Sequence, residues 1–313
     1  MAKYLITGGA GFIGSRISEI LIEEGNWVRV LDNLSSGDIK NLDLIINHPK
    51  FSFIKGDIRD FDECIKSTID IDYIIHQAAL VSVPKSIKEP LENNSINVNG
   101  FLNILEAARI NKIKRVVYAS SSAVYGDNED TLKVESRIGN SISPYALSKY
   151  MDELYASLYS RLHNLETIGL RYFNVYGPKQ DPSSMYSGVI SIFVDRILAS
   201  KDLSIYGDGS ITRDFIYVDD VARANILAVS KPIKMASIYN IGTGISTSIS
   251  ALANTLIKIT EGSVKVNYLP SRAGDILYSC ANIDKAKEEL GFNPQVDIID
   301  GLRKVYYELL NSK

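Results

Sequence analysis

Thr7-Gly8-Gly9-Ala10-Gly11-Phe12-Ile13-Gly14 follows directly on the apolar run Lys3-Tyr4-Leu5-Ile6 and opens an amphipathic stretch over 12–24. Gly8, Gly11 and Gly14 fit GxxGxxG, and Gly9, Gly11 and Gly14 overlap it as GxGxxG. Glycines permit a tight turn at positive φ and let backbone N–H groups approach a pyrophosphate at a helix N-terminus. An isolated match of this kind is also met in ordinary turns. The context here is strand, turn, helix, and the next β-rich run ends in Asp32, 18 residues after Gly14. An acidic side chain at that point accepts hydrogen bonds from a ribose and repels a 2′-phosphate. Asn33-Leu34 supplies no arginine in compensation, so NAD is favoured over NADP.

Outward from this motif the same alternation continues. KYLIT (3–7), WVRVLD (27–32), FSFIKGD (51–57), YIIHQA (73–78), RVVYAS (115–120) and TIGLRYF (167–173) read as strands, apolar on both faces. Helical patterns at 12–24, 95–110 and 145–162 separate them. The expected fold is α/β, a doubly wound parallel sheet of Rossmann type over 1–175. After Tyr176 the breaks Gly177-Pro178 and Asp181-Pro182 open a region of shorter elements. SIYGDG, RDFIYVDD, IYNIGTG and KVNYL alternate there with helices near 188–200, 219–229, 248–261, 284–290 and 298–310. Residues 176–313 are expected to form a smaller mixed α/β substrate region, with the strand near 238–242 returning to the main sheet.

Composition removes other classes. Charge is 34 − 37 = −3 over 313 residues, too little positive charge to suggest nucleic acid or an anionic membrane as partner. Cys64 and Cys280 form no CxxC pair, and His48, His76 and His163 lack metal-ligand spacing, so no metal is expected. Neither a signal-peptide core nor a run near the roughly 20 apolar residues of a membrane span is seen. A soluble cytoplasmic protein is the expectation.

The fifth strand runs into Ser120-Ser121-Ser122-Ala123, and Ser143-Pro144-Tyr145-Ala146-Leu147-Ser148-Lys149 follows. Ser143 is a good N-cap and Pro144 suits the first helical position. Tyr145 and Lys149, four residues apart, then share one helix face. A phenol working as a base near neutrality must fall from a pKa of about 10 to about 7, roughly 4 kcal/mol. The helix terminus supplies about 0.3–2 kcal/mol. A cation about 4 Å away at an effective dielectric near 20 supplies on the order of 4 kcal/mol. Lys149 is therefore the decisive group in this arrangement. YxxxK also occurs by chance on ordinary amphipathic helices; the serine-rich strand end and the glycine turn argue for chemistry. Gly56-Asp57-Ile58 is placed to frame an adenine, though a capping aspartate would look the same. Gln77-Ala78-Ala79 leaves room for a cofactor, as simple helix packing would also do.

TGGAGFIG, SSSAVYG and YALSK together resemble the extended short-chain dehydrogenase/reductase family. LRYFNVYGP, GDGSITRDFIYVDD and RAGD are similar to its UDP-hexose 4-epimerases, and the likeness spans the chain. The resemblance implies NAD held by Gly8, Gly11, Phe12, Ile13, Gly14, Asp32, Asn33, Asp57, Ile58, Gln77, Ala78, Ala79 and Asn97. It implies Tyr145 as base and acid, Lys149 on the ribose, and Ser121 on the sugar 4-hydroxyl with Ser122 beside it. Phe173 and Asn174 would lie near the nicotinamide and the sugar diphosphate. Arg213 and Arg272 match diphosphate-binding arginines, and Asp275 matches a nucleoside ribose contact. Guanidinium forks also suit a diphosphate on physical grounds. Ser82 is a possible sugar contact, since the polar residue usual after the fourth strand's small pair is replaced by Leu80-Val81.

Related dehydratases carry an acidic pair after the Ser/Thr, and related decarboxylases a Glu. Ser122 and Ala123 stand there in this chain, so elimination lacks its proton donor and 4-epimerisation is expected. In the resembled family the seventh residue after the RxGD arginine borders the sugar pocket. Here it is the small Ser279, which, with Gln180-Asp181-Pro182, resembles enzymes acting on UDP-GlcNAc and UDP-GalNAc besides UDP-Glc and UDP-Gal. Epimerisation of a UDP-hexuronate, with Lys85 or Lys179 as the extra cation, is the alternative within the family. A non-catalytic NAD-sensing protein is the alternative outside catalysis. Leu102, Leu105, Leu154, Tyr155, Leu158 and Tyr159 suggest a homodimer through the helices at 95–110 and 145–162, a pattern core packing would also produce.

Overall fold

The structure, a computed structural model, describes residues 1–180, 188–271 and 276–311. The first half runs β1 (Lys3–Thr7), α1 (Phe12–Glu23), β2 (Trp27–Asp32), β3 (Phe51–Lys55), α2 (Phe61–Thr68) and β4 (Tyr73–His76). It continues through α3 (Val83–Lys88), α4 (Pro90–Asn93), α5 (Gly100–Ile110), β5 (Arg115–Ser121), β6 (Leu132–Lys133), α6 (Pro144–His163) and β7 (Glu166–Tyr172). Then come β8 (Asn174–Tyr176), α7 (Val189–Leu198), β9 (Leu203–Tyr206), β10 (Thr212–Arg213), β11 (Phe215–Tyr217) and α8 (Val218–Ser230). β12 (Ser237–Ile241), β13 (Thr247–Ser248), α9 (Ile249–Thr260), β14 (Val266–Leu269), β15 (Tyr278–Ala281) and α10 (Ile298–Asn311) complete it.

Seven strands form one parallel sheet in the order β12-β7-β5-β4-β1-β2-β3. The order reverses between β1 and β4, and in such sheets ligands bind outside the strands' carboxyl ends at that switch point. Period-2 alternation explains why the strands are apolar throughout. Tyr4 and Ile6 of β1 pack toward Ile17 and Leu21 of α1 and Val221 of α8. Leu5 between them joins the opposite core with Phe101, Ile104 and Leu105 of α5 and Ala156 of α6.

The strand expected to return does so: β12 pairs in parallel with β7, Tyr239 opposite Leu170. Interleaving also runs the other way. β6, from the first half, pairs with β15 in a four-stranded sheet ordered β13-β10-β15-β6. A third core, built from α7, α9, α10, β9 and β11, closes the second region around Phe193, Leu203, Phe215, Leu252 and Leu302. Two expectations need correction. The segment at 95–110 begins as a wide π-type helix (Asn94–Asn99) before α5, and Ala286–Leu290 is likewise π-type. Leu105 is fully buried in the core and so is absent from any outward face.

Candidate active site

The carboxyl ends of β1, β2, β3 and β4 carry the glycine turn, Asp32 and Asn33, Asp57 and Ile58, and Gln77 to Ala79, while Tyr145 and Lys149 come from α6. Gly8 adopts φ +66°, and a Cβ there would lie 2.6 Å from the Ala78 nitrogen. A Cβ on Gly14 would sit 2.2 Å from the Gly8 carbonyl, so α1 meets the turn at backbone contact distance. Gly11 is the N-cap of α1, without a side-chain cap of its own, and leaves the helix N-terminus open to an anion. Phe12 and Ile13 flank it, packed against the cores. A tight turn at an uncapped helix N-terminus is a form that could receive a pyrophosphate.

Asp32 is 7% exposed and already shapes the loop: its Oδ2 accepts from Ala10 N at 2.9 Å and its Oδ1 from Leu34 N at 2.8 Å. Each carboxylate oxygen has about two lone-pair sites, which leaves acceptor capacity for ribose hydroxyls. Asn33 donates to Asp57 Oδ2 at 2.9 Å, joining the two residues expected around the adenosine. The Arg59 side chain beside Asp57 holds that carboxyl down at about 2. Ile58 buries its side chain against Gly100.

At the end of β4, Gln77 donates to Tyr172 Oη at 3.0 Å and to Asn225 Oδ1 at 3.2 Å, while the backbone N–H of Ala78 donates to Thr7 Oγ1 at 3.3 Å. Ala79 is half-buried beside them. Asn97 has another occupation from that expected of a cofactor residue. Its Oδ1 accepts from Leu80 N at 2.7 Å, and the two protons of its Nδ2 are shared among Leu80 O, Asn93 Oδ1 and Ser148 Oγ, each 3.1 Å away. It braces the post-β4 loop against α6.

Ser143 caps α6 by accepting from Ala146 N at 3.1 Å, and Pro144 occupies the first helical position. Tyr145 therefore lies in the first turn; its backbone N–H donates to Ser86 Oγ at 3.1 Å, which ties α6 to α3. Lys149, one turn on, is 2% exposed. Its Nζ donates to Ala119 O at 2.9 Å and to Asp152 Oδ2 at 3.3 Å, which leaves one ammonium proton for a further acceptor. Ser121 ends β5, its Oγ accepting from Ala123 N at 3.1 Å, so the hydroxyl's own proton remains available to a ligand oxygen. Ser122 is half-buried next to it.

Beyond β7 a cavity of about 330 Å³ is lined by Asn174, Gln180, Val189, Phe193, Tyr206 and Arg213, among others. Apolar walls with a few polar groups suit a nucleoside. Asn174 donates to Asp214 O, and Arg213 Nη1 donates to Thr212 O and Ile276 O, both at 2.8 Å. Ser279 lies in strand β15 opposite Arg213 and is 9% exposed. Phe173 is buried with Val124, Tyr125, Ala281 and Ile283. Ser82 is buried as the N-cap of α3, its Oγ accepting from Lys85 N. Arg272, Asp275 and the Asp181-Pro182 pair lie outside the described residues.

Sequence reasoning missed several buried groups. Asp152 touches Lys149, and Glu153 joins Ser120 to Arg171. Asp214 gathers the backbone N–H groups of Thr243, Gly244 and Ala281. Their signal was only an acidic residue at an otherwise apolar position. Among the described residues no group of three or more His, Cys, Asp or Glu side chains could hold a metal, and no helix is long and apolar enough to cross a membrane.

Comparison with known proteins agrees with this geometry. Residues 4–242 match the model of the NAD dependent epimerase/dehydratase family. The UDP-glucose 4-epimerase of Mycolicibacterium smegmatis is 37% identical, covering 96% of each chain. A solved UDP-N-acetylglucosamine 4-epimerase from Methanobrevibacter ruminantium, in complex with UDP-N-acetylmuramic acid, superposes with TM-score 0.95 at 40% identity, covering 100% of this chain and 99% of that one. The Thermus thermophilus UDP-glucose 4-epimerase complexed with NAD superposes with TM-score 0.89 at 34% identity, covering 99% and 100%. With a family model spanning the glycine turn, the β5 end and the Tyr145–Lys149 face, this chain belongs to the NAD dependent epimerase/dehydratase family.

Proposed function

We propose that the protein is a 4-epimerase of UDP-hexoses, interconverting UDP-GlcNAc with UDP-GalNAc and UDP-Glc with UDP-Gal. The observation that carries this reading is the Tyr145–Lys149 face of α6 set at the end of β5, with no carboxyl group at positions 122 and 123. Bound NAD supplies the reversible acceptor for the hydrogen on the sugar's C4. Gly8, Gly11 and Gly14 hold its pyrophosphate, Asp32 its adenosine ribose, and Lys149 the ribose beside Tyr145. Tyr145 takes the proton of the 4-hydroxyl, which Ser121 positions, and gives it back after the keto sugar has turned over. Because neither Ser122 nor Ala123 has an acidic proton to give, water is not expelled between the two transfers.

Arg213 and Arg272 anchor the diphosphate while the sugar turns, and Asn174 lines the same cavity as Arg213. Asp275 is assigned to the nucleoside ribose. Ser279, small and opposite Arg213, leaves the sugar pocket room for an acetamido group. The uronate reading is less favoured: Lys179 is bound to Glu19 and Asn41 O, and Lys85 lies beside Glu89.

The protein is proposed to act as a homodimer. Leu147, Leu154, Leu158 and Leu162 recur at helical spacing along α6 and are 37–65% exposed, a stripe that a second copy would cover. Tyr155 and Tyr159 instead pack toward the core, and Leu102 is half-buried. Sedimentation at micromolar concentration should show a dimer, and a monomer would reject this part.

Purified protein incubated with UDP-GlcNAc, without added NAD, should form UDP-GalNAc, and Tyr145→Phe should abolish the conversion while remaining folded. Undiminished turnover in that variant would overturn the mechanism. Activity on UDP-galactose alone would overturn the acetyl-sugar assignment.

A further inference from the structure

A buried carboxylate stands against the cation on which the tyrosine depends. Asp152 is 1% exposed, one turn beyond Lys149 on α6, and its Oδ2 accepts from Lys149 Nζ at 3.3 Å. Its other oxygen has no hydrogen-bond partner among the described residues. His76, fully enclosed at the end of β4, likewise leaves its Nε2 without a partner and lies within the field of Lys149.

We propose that Asp152 is a positioning residue that regulates the base through Lys149: ionised, it offsets the ammonium's field at Tyr145, and protonated, it releases that field. The inference rests on the epimerase reading for its catalytic consequence, but not for its electrostatic one. An ammonium paired with a carboxylate presents little net charge to a neighbour, whereas the same ammonium beside a neutral acid presents a full one.

The surroundings favour a carboxyl group that changes state near neutrality. Burial raises Asp152 to about 7, with Lys149 acting in the opposite direction and Glu153 adding to the rise. Glu153 is itself committed to Arg171 of β7 and to Ser120. Tyr118 of β5 faces the same space and is held strongly protonated by burial. On β4, burial keeps His76 neutral, and Tyr125, in the turn after β5, lies under Arg171. The charges of the other packed helices are spent elsewhere: Glu106 of α5 on Arg109 and Tyr159, Glu92 of α4 on Arg59, and Lys85 of α3 beside Glu89. Lys149 is thus the cation in direct contact with Asp152.

Asp152→Asn keeps the shape and removes the titration. Two measurements over about pH 5–9 test it: kcat and KM on the UDP-sugar, and thermal unfolding without added cofactor. The acid limb of kcat in Asp152→Asn should move about one unit to lower pH, with KM little changed. In unfolding, a carboxyl raised in the folded state loses stability as pH rises from its ordinary value toward 7. The variant should therefore gain on the parent protein across that interval. Superimposable normalised kcat profiles together with a constant stability difference would overturn the proposal and leave Asp152 as a brace. If Asp152→Asn does not fold, Asp152→Ser carries the same two expectations. A parent protein inactive on every UDP-sugar would sink the epimerase reading, while the unfolding arm would still decide the charge state of Asp152.

Discussion

Arg171 grips Glu153 with two parallel bonds, Nε to Oε1 at 2.9 Å and Nη2 to Oε2 at 2.8 Å, both side chains being almost wholly buried. The pair ties α6 to β7, and Ser120 of β5 joins it by donating to Glu153 Oε1 at 2.6 Å. The helix face bearing Tyr145 and Lys149 is thereby fixed against the strand that ends in Ser121. Arg171 also lies 4.9 Å from the centre of the Tyr125 ring.

Removing one partner of this pair should be costly. Arg171→Met leaves Glu153 buried without its counter-charge, and such uncompensated groups cost about 3–5 kcal/mol. Denaturant unfolding should show that loss. Glu153→Gln with Arg171→Met together should recover much of it, because neither charge is then stranded. A double variant as unstable as the sum of the singles would contradict a coupled pair.

The glycine cradle makes a graded prediction. Gly14→Ala places a Cβ 2.2 Å from the Gly8 carbonyl, where only backbone movement can relieve the clash. At Gly11 the same atom would be 3.2 Å away, a contact that slight adjustment absorbs. Titration calorimetry should show NAD affinity falling by roughly tenfold or more in Gly14→Ala, and far less in Gly11→Ala. Equal effects at the two positions would mean that α1 does not pack on the turn as described.

His76 sets an acid limit on stability. Burial, assisted by Lys149, lowers it from 6.5 to about 3, so the folded ring stays neutral while the unfolded one takes up a proton. Its contribution is complete above about pH 6.5 and is lost as pH falls toward 3. Asn at this position keeps an amide near Thr7 Oγ1, which now bonds His76 Nδ1 at 2.8 Å. Unfolding midpoints of the parent protein should drop faster than those of His76→Asn across this interval. Parallel curves would show that the ring is not held neutral.

The sheet and the turn were legible because their signals are local. Strand alternation, the glycine spacing and the Ser143-Pro144 start of α6 are set by neighbours in the chain, and each element falls within a few residues of its expected place. The interleaving was only half legible: IYNIG is long and apolar enough to read as a core strand, whereas β6, of two residues, has no pattern to detect. Leu105 was misread because exposure depends on which way α5 turns, which the partner sheet decides. Asp152, Glu153 and Asp214 escaped since an acidic residue normally belongs on a surface. The burial of Glu153 and Asp214 is made tolerable by partners distant in sequence, at Arg171 for the first and at Thr243, Gly244 and Ala281 for the second.

Ser279 offers the sharpest test of sugar choice. It sits in β15 paired with Arg213, and its backbone carbonyl accepts from Asp214 N at 2.9 Å, so the strand's course does not depend on the side chain. Ser279→Tyr keeps that backbone bond while adding a ring beside the proposed diphosphate anchor, and thermal unfolding of the variant checks that it folds. The added volume would crowd an acetamido group more than a hydroxyl. We expect kcat/KM on UDP-GlcNAc to fall about 10- to 100-fold, the range that one group's misfit in a pocket commands. Turnover of UDP-Glc should change only a few-fold on the same scale. Competition assays with both sugars in one vessel read the ratio directly, free of differences in active fraction. A proportional loss on both sugars would place Ser279 away from the sugar, and an unchanged ratio with full activity would mean that the pocket's width is set elsewhere.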